Sequence, residues 1–179
     1  MAKKKIDCKG TACCAHAEAG SRRGRRIRRV SASPAGTLAL AARFARLLPP
    51  GAVVFLEGPL GVGKTVFVQG MAGAFGLDAA AVHSPSFLLM HQYGQGRMVH
   101  IDCYRLLDAS EGELMEMGMW EALEEPGIKV IEWPPLALRR RRRKAFWVRF
   151  KFGEKNHRVI DLPDLVWNSG PKEVVPFRK

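Results

Sequence analysis

Eight consecutive residues, 58–65, have the types and spacing that chemistry on a phosphate requires. They read GPLGVGKT and fit the pattern G-x-x-x-x-G-K-[ST]. The glycines let the backbone turn tightly and bring its N–H groups against phosphate oxygens. Lys64 adds a positive charge for the β- and γ-phosphates, and the Thr65 hydroxyl is a ligand for Mg²⁺. The segment therefore predicts a site for a nucleoside triphosphate and magnesium.

The flanking sequence supplies the strand and the helix that must hold this loop. Residues 52–56 form a continuous apolar run, as expected for a strand that is buried on both faces. After Thr65 the apolar residues recur at helical spacing, and Gly76 ends the pattern. A helix that begins near Gly63 directs the positive end of its dipole at the same anion. This order favours a phosphate site over a glycine-rich turn with a surface lysine.

Two acidic residues end two further predicted strands, 98–101 and 128–131. They are Asp102 and Glu132. A P-loop enzyme needs a carboxylate at the end of another strand to hold Mg²⁺ and a group that positions the attacking water. We therefore predict that Asp102 and Glu132 are catalytic together with Lys64, and that both hold the metal together with Thr65. The alternative is that each acid is a loop residue that caps the next helix.

Length and composition indicate one globular domain. The chain has 179 residues, of which 47% are hydrophobic. No apolar stretch reaches the ~20 residues of a membrane span, and the basic N-terminus lacks the apolar segment of a secretory signal. We expect a cytoplasmic protein that makes no contact with a membrane.

The net charge of +12 is concentrated in two segments. Residues 1–30 contain ten Lys or Arg and two acids, and the run 139–144 is entirely basic. With few large apolar side chains, residues 1–30 predict a disordered basic arm, followed by a domain over 31–165 and a tail over 166–179. The arginine run is typical of a solvated face or loop, and we hypothesise that it follows the phosphates of an RNA.

The cysteines leave one alternative open. Cys8, Cys13 and Cys14 lie in the arm with His16, which permits either a zinc site or reduced thiols in a flexible segment. No second pair of ligands follows at zinc-finger spacing. Cys103 ends a predicted strand and is interpreted as a small buried hydrophobic residue.

Further signals predict an α/β fold: a single P-loop NTPase domain with a mostly parallel central sheet flanked by helices, plus a C-terminal strand pair. A helix begins with Ser33 as its N-cap and Pro34 in its first turn. Its predicted buried stripe consists of Leu38, Ala41, Ala42, Ala45 and Leu48. Segments 87–92 and 98–102 predict a hairpin, 110–124 a helical region broken at Gly118, and 145–152 with 158–161 the final strands.

These motifs together resemble the TsaE (YjeE) family of small bacterial ATPases, which are required for threonylcarbamoyl modification of adenosine 37 in tRNAs that read ANN codons. The matching segments occur in the order of the family and comprise Thr37 and residues 58–65, 84–87, 100–106, 113–118 and 131–134. The resemblance covers residues 33–134 and weakens toward 162. Two positions differ, because the family usually has Asp where Pro59 stands and Thr where Ser86 stands.

The resemblance implies the cofactors ATP and Mg²⁺ and an accessory role. Family members are weak ATPases alone, bind the TsaB–TsaD heterodimer and reset it between rounds, so tRNA is met only through that complex. Glu132 would serve hydrolysis, and residues 84–86 would form a switch-like loop. Tyr104, Arg105 and Trp133 would support the site or face the partners, although each also suits a purely structural role. The implied nucleotide-binding residues are Pro34, Thr37, Gly58, Leu60, Gly61, Val62, Gly63, Lys64, Thr65 and Arg158.

Three other functions remain alternatives. A small-molecule kinase on the same loop would need a lid with arginines and an acceptor pocket, and the arginine run could serve as the lid. A GTPase would need an Asn-Lys-x-Asp motif, which the sequence lacks. An RNA-binding module would act mainly through the basic arm.

Overall fold

The computed structural model describes residues 25–85, 89–142 and 144–165. Most of the predicted basic arm, with its possible zinc ligands, lies outside these ranges. So do the predicted tail, Arg143, and residues 86–88, of which Ser86 belongs to the predicted switch-like loop. The described helices include none with the length and apolar character needed to cross a bilayer.

Seven strands, five α-helices and three single-turn 3-10 helices make up the regular structure of the described residues. The strands are β1 (Arg26–Ser31), β2 (Val53–Glu57), β3 (Met90–Tyr93), β4 (Met98–Asp102), β5 (Ile128–Glu132), β6 (Phe146–Phe152) and β7 (Arg158–Pro163). The helices are α1 (Pro34–Ala45), α2 (Lys64–Ala74), α3 (Glu111–Glu116), α4 (Met119–Glu124) and α5 (Leu136–Arg141).

All seven strands form one sheet in the order β1-β7-β6-β2-β5-β4-β3. The central strands β6, β2, β5 and β4 are parallel, whereas β3 pairs antiparallel with β4, and β7 pairs antiparallel with both β6 and β1. Helices α1 and α2 pack on one face, and α3, α4 and α5 pack on the other. The predicted fold class is confirmed, including the C-terminal strand pair.

Local signals located most elements correctly. The Ser33 hydroxyl accepts a hydrogen bond from the backbone N–H of Gly36 at 3.1 Å, so Ser33 caps α1 as predicted. Gly118 adopts φ 71° between α3 and α4, which is the predicted break. The buried stripe of α1 was only partly predicted, because the fully buried members include Phe44 and Thr37 while Leu38 is half-exposed.

The predicted arm boundary at residue 30 is wrong. Residues 26–30 belong to β1, which pairs with β7 along its whole length. Arg28 donates to the Asp161 carboxylate at 2.8 Å, and Ile27 packs against the core. Exposed and partly buried residues alternate along β1, as expected for a sheet edge with one solvated face, and this pairing gives order to a segment whose composition predicts none.

The arginine run, for which the sequence predicts a solvated face or loop, is exposed at Arg140 and Arg141 and belongs in part to a helix. Its first residues form the end of α5, and three of its arginines pair with acids on other elements. Arg139 lies 3.0 Å from Glu57, Arg141 pairs with Glu111, and Arg142 pairs with Glu124. These pairs connect α5 and Arg142, the residue that follows it, to β2, α3 and α4, so much of the charge of the run is neutralised within the fold.

Gly70 sets how closely α1 and α2 pack. A Cβ atom at Gly70 would lie 2.5 Å from the Leu38 carbonyl oxygen and 2.8 Å from the Ala41 Cβ. At Gly73, one turn later in α2, the nearest atom would be 4.0 Å away. Gly70 therefore has no room for a methyl group, whereas Gly73 in the same helix has room for one.

We predict opposite effects for the same substitution at these two positions. Gly70→Ala should lower the free energy of unfolding by about 1–3 kcal/mol, because the helices must separate to admit the methyl group. Gly73→Ala should raise it by about 0.5–1 kcal/mol, because alanine favours a helix over the unfolded chain. Urea unfolding of both variants measures the difference. Equal free energies would contradict the close packing at Gly70.

Candidate active site

The loop between β2 and α2 needs glycine at several positions. At Gly58 the backbone has φ 152°, and a Cβ atom there would lie 2.7 Å from the Phe150 carbonyl oxygen. Gly61 and Gly63 have φ angles of 72° and 102°, which L side chains rarely adopt. No side chain caps α2 at Gly63, so the first N–H groups of the helix remain available to an anion.

Lys64 lies at the centre of this loop and is only 4% exposed. Its ammonium group donates to the carbonyl oxygens of Gly58 at 2.9 Å and Pro59 at 3.0 Å. Burial lowers the pKa of Lys64, and the nearby carboxylates of Glu132 and Asp102 act in the opposite direction. The loop therefore holds a cation beside two acids before any phosphate arrives.

The two predicted acids meet at the end of the sheet. Strands β4 and β5 pair in parallel with Asp102 opposite Glu132, and both residues are buried. The Thr65 hydroxyl donates to Glu132 Oε1 at 3.1 Å. Asp102 accepts from the Ser84 hydroxyl at 2.6 Å and from the Tyr104 backbone N–H at 3.0 Å. The structure thus brings together all four residues predicted for catalysis and metal binding.

These residues line a cavity of about 600 Å³. Trp133 and Tyr104 form one wall, with their ring centres 5.1 Å apart, and the Lys64 ammonium lies 3.9 Å from the Trp133 ring centre. Trp133 is half-buried, and its backbone adopts φ 55°. Its side chain both lines the cavity and contacts Tyr104 and Lys64. The lining consists of Leu60, Gly61, Gly63, Lys64, Thr65, Val66, Ser84, Asp102, Tyr104, Arg105, Glu132 and Trp133.

Other predicted nucleotide-binding residues are not among those that line the cavity. Pro34 is exposed in the first turn of α1, and Thr37 is buried with its hydroxyl 2.8 Å from that of Ser31. The side chain of Val62 is buried in the core, and its carbonyl oxygen accepts from Arg158 Nε at 3.1 Å. Arg158 therefore contacts the phosphate loop from outside the cavity lining.

The donor set suits a hard divalent cation bound with a nucleotide. Thr65, Asp102 and Glu132 offer a hydroxyl and carboxylate oxygens, which are the ligands that Mg²⁺ prefers. Within residues 25–85, 89–142 and 144–165, no group of three or more His, Cys, Asp or Glu side chains is arranged to hold a metal. Mg²⁺ usually takes one or two carboxylates and completes its shell with phosphate oxygens and water, so the residues present fit a Mg²⁺–nucleotide complex.

Cys103 follows Asp102 and packs in the hydrophobic core. It is fully buried, and burial, with a smaller contribution from Asp102, raises the pKa of its thiol to about 12. Its backbone N–H donates to the Glu132 carbonyl oxygen at 3.0 Å. The prediction of a small buried residue at this position is confirmed.

The motif pattern did not assign a role to His100, which also belongs to the site. It is fully buried, and its Nε2 atom lies 3.1 Å from Glu132 Oε1. Side chains two residues apart on a strand point to the same face, so the spacing from Asp102 was the available signal.

A family profile and individual relatives that resemble this chain all carry the same family name. The sequence profile described as "Threonylcarbamoyl adenosine biosynthesis protein TsaE" matches residues 31–160. Proteins called "tRNA threonylcarbamoyladenosine biosynthesis protein TsaE" are similar over their matching parts. The one from Synechocystis sp. PCC 6803 is 37% identical over 95 residues, which are 51% of this chain and 60% of that protein. The one from Bacillus subtilis is 37% identical over 106 residues, which are 58% and 64% of the two chains. The match thus spans about three fifths of the length of these relatives.

A solved structure extends the likeness to the fold. The crystal structure of YdiB from Bacillus subtilis has a TM-score of 0.58 and 25% identity with this protein. The comparison covers 79% of this chain and 87% of YdiB. Because the family profile matches most of the sequence, including the loop and both acids, the chain belongs to the TsaE family.

Proposed function

We propose that this protein is an ATP-binding, Mg²⁺-dependent ATPase that acts in the cytoplasm as an accessory in the biosynthesis of threonylcarbamoyladenosine in tRNA. Its hydrolysis of ATP would reset the TsaB–TsaD complex between rounds, and tRNA would be met through that complex. The observation that carries the proposal is the meeting of Lys64, Thr65, Asp102 and Glu132 in one cavity, with the Thr65 hydroxyl 3.1 Å from Glu132.

Each of these residues has a part in the proposed reaction. The loop N–H groups and Lys64 bind the β- and γ-phosphates, which requires the ammonium to leave the carbonyl oxygens of Gly58 and Pro59. Thr65 and Asp102 would hold Mg²⁺, which when bound supplies positive charge to the phosphate oxygens. Glu132 accepts a hydrogen bond from the water that attacks the γ-phosphorus, and the bond from that phosphorus to ADP breaks.

The rim of the cavity supports a partner-dependent activity. Tyr104 is 49% exposed although its ring contacts Trp133 inside the cavity. A partner protein that covers Tyr104 and Arg105 would therefore touch the wall of the site directly. Such a contact would exclude water and fix the wall, which gives TsaB–TsaD a route to raise a weak basal rate.

The kinase alternative receives less support. It needs arginines free to close over a phosphate acceptor, but Arg139 and Arg141 are paired with Glu57 and Glu111. Product analysis separates the two functions, because a kinase would phosphorylate an added alcohol or nucleotide whereas an ATPase releases inorganic phosphate.

The first test is ATP hydrolysis with and without the TsaB–TsaD pair of the same organism, for wild type and Glu132→Ala. The pair should stimulate the wild type, and the substitution should lower kcat at least about 100-fold while ATP still binds. Glu116→Ala is the matched control, because it removes an exposed carboxylate from α3 away from the cavity. Absence of hydrolysis by the wild type with the pair, or full activity of Glu132→Ala, would contradict the proposal.

Thr65 gives a separate test of the metal. Thr65→Val keeps the shape of the side chain but removes the hydroxyl. The wild type should bind ATP more tightly in Mg²⁺ than in EDTA, and the ratio of these two affinities should fall by about 10-fold or more in Thr65→Val. Thr65→Ser should keep this difference. Calorimetric titration of ATP in the two buffers measures it for all three proteins. If Thr65→Val binds Mg²⁺–ATP as well as the wild type does, Thr65 does not hold the metal.

A further inference from the structure

The carboxylate of Glu132 has a second hydrogen-bonding neighbour besides Thr65. The Nε2 atom of His100 lies 3.1 Å from Glu132 Oε1, which is also the oxygen that accepts from Thr65 at 3.1 Å. We propose that His100 is a positioning residue that fixes the Glu132 carboxylate for hydrolysis by donating from Nε2 to Oε1. This inference rests on the proposed ATPase function.

The hydrogen bonds define which atom carries the proton. An ionised carboxylate accepts only, so the hydrogen between the two side chains belongs to His100 Nε2. The other ring nitrogen, Nδ1, is buried and has no hydrogen-bond partner among the described residues. A buried lone pair without a partner is less costly than a buried N–H without one, which also places the hydrogen on Nε2.

The orientation of His100 is set by the sheet and not by the nucleotide. His100 lies within β4, opposite Val130 of β5, and is fully buried. Its ring therefore cannot turn toward solvent without disturbing the sheet. Thr65 differs, because it lies in the first turn of α2 at the phosphate loop and its hydroxyl is also proposed to hold Mg²⁺. His100 is thus the donor that keeps the same position throughout the ATP cycle.

Two donors on one oxygen leave the other oxygen for the reaction. With Oε1 engaged by His100 and Thr65, Glu132 Oε2 is the atom that can accept from a water in the cavity. Glu132 is only 3% exposed, so little solvent is available to replace a lost donor. Removal of His100 should therefore let the carboxylate rotate, which lowers turnover but leaves the phosphate loop and Lys64 intact.

The kinetic test compares three substitutions at His100. His100→Leu should lower kcat about 10- to 100-fold, as loss of a hydrogen bond that orients a reacting group usually does, with the Kd for ATP changed by less than about 3-fold. His100→Gln should recover most of this loss, because its amide N–H extends to the position of Nε2. His100→Asn, which extends only to the position of Nδ1, should not.

His91→Leu is the matched control. His91 pairs with His100 across the β3–β4 hairpin but is exposed, so the same change outside the cavity should leave kcat unchanged. Thermal unfolding of every variant identifies those that fail to fold. If His100→Leu does not fold, the comparison of Gln with Asn decides, and equal kcat for these two would overturn the inference.

A double variant tests whether His100 acts through Glu132. In the Glu132→Ala background, His100→Leu should cause no further loss of kcat, whereas independent roles would give additive losses. If the wild type hydrolyses ATP and folded His100→Leu keeps its full kcat, the positioning role fails while the ATPase proposal stands. If the wild type has no ATPase activity even with TsaB–TsaD, the ATPase proposal itself fails.

Nitrogen NMR of the imidazole rings in the nucleotide-free protein gives a readout that needs no turnover. We expect His100 in the tautomer with hydrogen on Nε2, with slow exchange of that hydrogen, and a changed Nε2 resonance in Glu132→Ala but not in Glu116→Ala. A His100 ring with its hydrogen on Nδ1 would overturn the inference even if the folded protein hydrolyses ATP.

Discussion

The parallel register of three neighbouring strands is the constraint on which the site depends. Strand β2 leads into the phosphate loop, β5 ends with Glu132 opposite Leu56, and β4 ends with Asp102 opposite Glu132. A shift of one residue between β4 and β5 would turn Asp102 to the other face of the sheet. Backbone hydrogen bonds just beyond the strands, from Cys103 to Glu132 and from Trp133 to Leu56, hold this alignment. The geometry of the acids therefore follows from main-chain pairing, and their side chains add the chemistry.

The packing of α2 fixes the other half of the site. The Phe67 ring lies 5.8 Å from that of Phe44 in α1 and 5.4 Å from that of Phe150 in β6. These contacts hold the first turn of α2 against the core, where tight packing resists displacement. Because Lys64 and Thr65 begin the same helix, their positions follow from this aromatic cluster. A partner protein would then act more easily on the exposed wall at Tyr104 than on the loop itself.

Local patterns in the sequence predicted the parts of the molecule that local physics determines. The phosphate loop, the α1 cap at Ser33 and the break at Gly118 all depend on backbone conformation within a few residues, which residue type specifies directly. The errors concern partners distant in sequence. Residues 26–30 form a strand because they pair with β7. Three arginines of the run 139–144 form ion pairs with acids on three other elements. His100 likewise lies beside Glu132 because β4 pairs with β5, and its spacing from Asp102 indicates only that these two side chains share one face of β4.

The proline in the phosphate loop is compatible with the proposed chemistry because its carbonyl oxygen still contacts Lys64. Pro59 lacks both the carboxylate usual at this position in the resembled family and a backbone N–H. Its carbonyl oxygen nevertheless accepts from Lys64 at 3.0 Å and from the Val62 N–H at 3.4 Å. The pyrrolidine ring restricts the same residue to φ near −65°, which reduces the freedom that the unfolded loop must lose. Gly61, Gly63 and the first residues of α2 still line the cavity, so proline at this position removes one backbone donor and in exchange restricts the loop around Lys64.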